Sequence, residues 1–357
     1  MTAPFRALTL TAAAARSAVG GNVEQTAASI RAGLSRFGDH ASYEALSRDP
    51  EWEEQEPLTV AAAPGIDPAL RGAERLHALL TPVLADLVAA AGLKRRDLAE
   101  CALLLALPAP DEAVIPWRLA ETFALELSRR TGLVFKTSRQ SLSGHAAAFE
   151  LLAEASSLLA SGEVQSCLVA GVDSYLSTDR LAVLDEGYRL KSARNVDGFC
   201  PGEAAAALLV EGARSRRGAA PRATIAALGL GIEPETMQSE KVSTGAGLVQ
   251  ALSGALPGES ASDFLLCDLN GESYRAFEWG VAQARLGARL EGLRRAVMPA
   301  RSVGDVGAAT GALLVATAVE ALERGWAPGE EALIFTASEG ALRAATRVCR
   351  PEAKERR

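Results

Sequence analysis

His145 and Asp305 stand at the entrances of two copies of one sequence pattern, and an imidazole beside a carboxylate can do proton-transfer chemistry. In the first copy Gly144 opens an Ala/Leu-rich helical pattern that ends at Gly162, and the apolar stretch 166–175 follows. In the second copy Gly307 opens the pattern, Gly325 ends it, and 332–340 follows; the bracketing glycines are 18 residues apart both times. Each copy reads as a buried helix feeding an apolar strand, so two related α/β halves are expected, 1–218 and 219–357. Chemistry in such a protein gathers where the helix N-termini of the two halves converge. A neutral His145 could accept a proton there, oriented by Asp305 or Glu272. The helix N-terminus disfavours the imidazolium and a nearby carboxylate favours it. The plainer alternative has His145 filling space and bonded to a backbone carbonyl.

A second cluster lies at 268–280, where Asp268, Asn270, Glu272, Tyr274, Arg275, Glu278 and Trp279 crowd together. They describe either a binding surface or altered pocket, or a helix start capped by Ser273 with an Arg–Glu pair on its surface. The chain has 3 histidines. The pattern puts His40 in a loop and His77 on an amphipathic helix, so neither naturally supplies a second imidazole. Trp117 and Trp279 read as core or interface residues.

The elements that must position these groups follow from hydrophobic periodicity. Strands are expected at 5–12, 101–107, 166–172, 222–230 and 263–269, with a turn from 196 feeding a buried strand that ends at 211. Helices are expected at 23–36, 73–92, 117–131, 145–161, 244–254 and 277–290, and an extended segment at 133–141. Residues 40–72 read as an acidic loop with room for a partner, 212–221 as the link between halves, and 351–357 as a frayed tail. Alternating strands and helices predict a mainly parallel sheet in each half.

With 357 residues, 48% hydrophobic and 23% charged, the composition is that of a globular protein. A formal net charge of −7, without a basic stripe interleaved with aromatics, excludes a nucleic-acid partner. Arg214, Arg216 and Arg217 read as a solvated loop. The 5 cysteines are scattered without metal-ligand spacing, so buried free thiols and no metal or cofactor are expected. Arg6 and Arg16 interrupt the N-terminal apolar run, and no membrane span is expected; the reading is cytoplasmic.

"GEVQSCLVAGVDSY" followed by "VDGFCPGEAAAALLVE" closely resembles the β-ketoacyl synthases of the thiolase superfamily. "GDVGAATGALLVATAVEAL" and "CDLNGESY" look like that family's two histidine-bearing segments. The resemblance implies an α/β, thiolase-like five-layer αβαβα fold of two pseudo-symmetric halves. It also implies a homodimer paired through 133–141. The family's cysteine nucleophile would fall on His145, its two histidines on Asn270 and Asp305, and its lysine on Ala300. Ser143, reached by a shifted alignment, has no histidine partner in the motif positions. A Cys-His-His centre therefore cannot be assembled in the family's geometry. This implies a catalytically inactive dimeric scaffold or adaptor. It would be the partner of an active synthase, or an accessory of a bacterial secretion effector such as those of type VI loci. The alternative is an acyltransferase, condensing enzyme or hydrolase on acyl-carrier-protein or coenzyme A thioesters, with His145, Asp305 and Glu272 in new roles.

Overall fold

Apolar residues alternate along the strands between two different cores, and that alternation explains the layers of the molecule. The computed structural model describes residues 4–351 apart from 46–56, 111–117, 194, 213–217, 240, 257, 259–262 and 294. Trp117, Arg214, Arg216, Arg217, residues 46–56 of the acidic loop and the tail beyond 351 thus lie outside the described residues. The first half runs β1 (Leu8–Ser17), α1 (Val23–Ala32), β2 (Gly38–Glu44), β3 (Pro57–Val60), α2 (Gly72–Ala90), α3 (Arg95–Leu98) and β4 (Cys101–Ala106). It continues with α4 (Arg118–Thr131), β5 (Thr137–Ser141), α5 (Ala147–Ser161), β6 (Ser166–Ser174), α6 (Thr178–Glu186) and β7 (Glu203–Glu211). The second half runs β8 (Ala223–Ile232), α7 (Ala246–Ala255), β9 (Phe264–Cys267), α8 (Ser273–Leu286) and β10 (Arg295–Val297). Then come α9 (Ala300–Val303), α10 (Thr310–Glu323), β11 (Glu331–Ala337) and β12 (Leu342–Cys349).

The strands lie in the order β5-β4-β6-β7-β1 in the first half and β10-β9-β11-β12-β8 in the second. Both read third, second, fourth, fifth, first in chain order, and β1 meets β8 to join them. In β4, Leu104 faces a central core while Leu103 and Leu105 face an outer one built with α2 and α4. In the second half, Leu266 faces the same central core while Leu265 and Cys267 pack outward against α7 and α8. The five layers are α2/α4, sheet, α5/α10, sheet and α7/α8. Every residue of α10 from Thr310 to Leu322 is buried, so this helix has no polar face to show.

The expected mainly parallel sheets are in fact mixed. Only β5-β4-β6 and β10-β9-β11 run parallel; β7, β1, β12 and β8 pair antiparallel. No helix crosses between β11 and β12, whose connection is the short turn 338–341, so the chain must reverse. Residues 38–60 hold an unforeseen hairpin, β2 with β3; β2 is mostly exposed and carries no hydrophobic alternation, and β3 alternates over only four residues. His40 is on β2, its Nε2 3.1 Å from the Leu176 carbonyl oxygen, rather than in a loop. Helix α6 and strand β12 were also not expected. No disulfide joins the cysteines, and Cys200 and Cys349 are only half-buried.

His77 sits on α2 as expected, yet it is buried and stacked on Phe123 of α4, centroids 4.1 Å apart. Burial, reinforced by Arg130, holds its pKa below the usual histidine value despite Glu126 and Glu74. The unfolded chain therefore binds a proton that the folded chain refuses. Its contribution is present above about pH 6.5 and is lost as pH falls below that value. The urea midpoint of the native protein should drop between pH 7 and 5.5 more than that of His77→Leu. Parallel pH curves for the two proteins would refute this.

Candidate active site

The two helix entrances meet. Each central helix is preceded by a single 3₁₀ turn, Gly144–Ala146 before α5 and Gly307–Ala309 before α10. A Cβ on Gly171 of β6 would lie 2.5 Å from the Ala308 carbonyl oxygen, so only glycine lets that strand pass so close. Here His145 and Asp305, both buried, come together: His145 Nε2 lies 2.7 Å from Asp305 Oδ1. The expected bond from His145 to a backbone carbonyl is not what forms.

Asn270 and Glu272 join the same cluster. Asn270 Nδ2 donates to Asp305 Oδ2 at 2.7 Å and to Glu272 Oε2 at 2.9 Å, and the Glu272 amide donates back to Asn270 Oδ1 at 3.1 Å. The four residues singled out from sequence thus form one bonded chain. Burial alone would raise the Asp305 carboxyl, but His145, Arg275 and the Gly307 amide hold it well below the usual carboxylate range.

Arg275 has the largest unforeseen role. Of the two readings of 268–280, the surface Arg–Glu pair is not what forms: Arg275 and Glu278 are both buried and neither pairs with the other. Arg275 Nη1 donates to Asp268 Oδ2 at 2.9 Å and to the Ala337 carbonyl, and Nη2 lies 3.3 Å from His145 Nε2 and 3.5 Å from Nδ1. Glu278 instead pairs with Arg343 of β12 at 2.8 Å. The reason is topological: α8 packs between β9 and the β11–β12 turn, so its polar residues meet charges from other elements. Glu272, not Ser273, is the N-cap; the Ser273 amide and hydroxyl both donate to Asp197 at 2.6 Å. Trp279 stacks on Phe335, as a core residue would, with centroids 4.7 Å apart.

Arg189 closes the cluster from outside, donating to both oxygens of Glu272 at 2.9 and 3.1 Å and to Glu339 at 2.7 Å. Neither Arg189 nor Glu339 was signalled by local spacing, since Arg189 lies 83 residues from Glu272 and 150 from Glu339. The hydroxyls nearby are turned away from the imidazole. Ser143 Oγ donates to Glu150 at 2.9 Å, and Ser338 Oγ donates to the Ser143 carbonyl while accepting from the Ala146 amide at 3.0 Å. No hydroxyl or thiol is hydrogen-bonded to His145 among the described residues.

Two thiols border the site. Cys267 shares with His145, Asp268 and Asp305 a void of about 10 Å³, the size of one water. Cys200 lines a larger pocket of about 760 Å³ with Lys191, Asn270, Glu272, Ala300 and Arg301. Burial pushes both thiols up to about 12, so at neutral pH each stays protonated and weakly nucleophilic.

No family model and no curated protein matches the chain. Solved structures do. A chain of the AntDE:AntF complex, a type II PKS acyl-carrier protein with its ketosynthase bound to the hexaketide, is 13% identical, with a TM-score of 0.77 over 98% of this chain and 100% of that one. The ishigamide ketosynthase/chain length factor is 18% identical, with a TM-score of 0.70 over 97% and 99%. The ketosynthase from module 6 of the bacillaene synthase of Bacillus subtilis is 14% identical, with a TM-score of 0.73 over 98% of this chain and 73% of that one. The chain has the thiolase-like fold of ketosynthases. Among the described residues no helix is long and apolar enough to cross a membrane.

Proposed function

We propose that this protein is a catalytically silent ketosynthase-like scaffold that acts by binding a protein partner. The observation that carries the reading is the plugged helix entrance. His145 is engaged between Asp305 and Arg275, where acyl transfer would need a nucleophile and a proton acceptor facing each other. An imidazole so enclosed can stabilise the fold, and among the described residues no hydroxyl or thiol is hydrogen-bonded to it for activation. Loss of one transition-state donor typically lowers a rate by ~10²–10³, and loss of the nucleophile lowers it further.

The likeness to a ketosynthase/chain length factor and to a complex with an acyl-carrier protein favours a synthase or its carrier protein as partner. A secretion effector, the other expectation from sequence, is left as an outcome of the capture experiment. The protein works as a homodimer, β5 being the outermost strand of its half and free to pair with its own copy. Native mass spectrometry after incubation with acetyl-coenzyme A and acyl-carrier protein should show the mass of two chains without an added acyl group. An adduct on Ser143 or His145 would overturn the silent reading, and a monomer at micromolar concentration the dimer. Affinity capture from the native host should recover a synthase or carrier protein; recovery of a secretion effector alone would redirect the adaptor role.

A further inference from the structure

A second cavity, of about 570 Å³, lies past the carboxyl ends of the parallel strands β4 and β6 and shares no lining residue with the void beside His145. Pro108, just beyond β4, and Ser174, the last residue of β6, both line it. In open α/β sheets this crevice is where ligands bind. Helices α2 and α6 both begin on it, which directs the positive ends of their dipoles toward its interior. The N-cap residues of α2 and α6, Arg71 and Ser177, make no side-chain cap bond.

Arg180 is built into the wall. Its Nη1 donates to Asp173 Oδ1 at 2.5 Å and to the Ser174 carbonyl at 2.9 Å, and its guanidinium stacks 3.8 Å from the Tyr175 ring centroid. Asp173 is itself pinned, its Oδ2 accepting the Ala308 amide at 2.9 Å. Nη1 is the only nitrogen of Arg180 used in these bonds, so a preorganised guanidinium edge is left over. Arg75 also lines the cavity but is neutralised by Glu203, at 2.6 and 2.9 Å. Asp179 is the one acidic residue lining it among the described residues.

We propose that this cavity binds an anionic small molecule of the phosphate-ester class. Arg71 and Arg180 hold the anionic group, and Leu76, Pro108 and Leu119 receive the organic body. This does not rest on the scaffold reading. The test is isothermal titration calorimetry of the full chain with phenyl phosphate at constant ionic strength in chloride. Binding is expected for the native protein and should weaken by about tenfold or more in Arg71→Gln, a surface change that spares the fold. Ser177→Asp, a good N-cap that adds negative charge to the site, should abolish it while leaving α6 folded by circular dichroism. Phenol should not bind. The proposal is overturned by absent heat, by equal affinity in both variants (an adventitious ion only), or by phenol binding as well as its phosphate.

Discussion

Arg275→Met should lose about 3–5 kcal/mol of folding stability at pH 7, measured from urea unfolding, because it strands buried carboxylates without their cation. Arg275 is 3% exposed and bonded to Asp268, to the Ala337 carbonyl and, at 3.5 Å, to Glu272. Asp268 is the carboxylate most affected. Its Oδ1 has no hydrogen-bond partner among the described residues, and burial already pushes its carboxyl up against the pull of Arg275. Without Arg275 it rises further, so the folded variant binds a proton that the unfolded chain, with an ordinary value near 3.9, releases. Stability held through that proton is lost as pH rises through the folded value, so the variant's deficit should be smaller at pH 5 than at pH 7. Adding Asp268→Asn keeps an acceptor for the Ala337 amide and removes the stranded charge, so the double variant should recover part of the loss. A deficit below about 1 kcal/mol at pH 7 would mean that the cluster is not the desolvated network described here.

That network also marks where reading the chain by itself stops. The helix–strand repeat was legible because backbone geometry imposes it: Gly144, Gly162, Gly307 and Gly325 have φ of 69°, 78°, 49° and 68°, in the region that favours glycine. His145, Asn270, Asp305 and Glu272 were legible because motif positions carry them to one place. Arg275 and Glu278 could be read either as a pocket or as a surface pair, since charges on a helix usually face water and nothing local says that Asp268, just past β9, and Arg343 of β12 will meet them. Arg189 and Glu339 were invisible for the same reason. The hairpin β2–β3 failed in the opposite way, β2 being too polar and exposed to show a period and β3 too short.

These misses share a physical cause with the proposed function. Ordinary local rules break where a site holds charge in the interior, and here the broken rules concentrate around the helix entrance. The Arg275 and Arg189 guanidiniums and the carboxylates around them are satisfied mainly by one another. A substrate thioester reaching His145 would have to displace them.

Gly307→Ala is expected to cost about 2–5 kcal/mol, and the reason separates two effects that sequence spacing alone confounds. At a φ of 49°, alanine is strained by roughly 1–2 kcal/mol wherever it stands. In addition its Cβ would fall 2.0 Å from Asp173 Oδ2, well inside contact distance. Asp173 must then move, giving up the Ala308 amide and disturbing Arg180, a loss of about 1–3 kcal/mol for a buried acceptor. Gly325, the closing glycine of the same copy, has a φ of 68°, and a Cβ there would meet nothing nearer than Arg350 Nη2 at 3.9 Å. Gly325→Ala should therefore show the strain alone. In an Asp173→Ala background only the Cβ of residue 173, 3.2 Å away, still faces the new methyl, and the Gly307→Ala loss should fall toward the Gly325→Ala value. Equal losses at the two glycines in the native background would show that Asp173 does not hold the entrance of α10 as the structure has it.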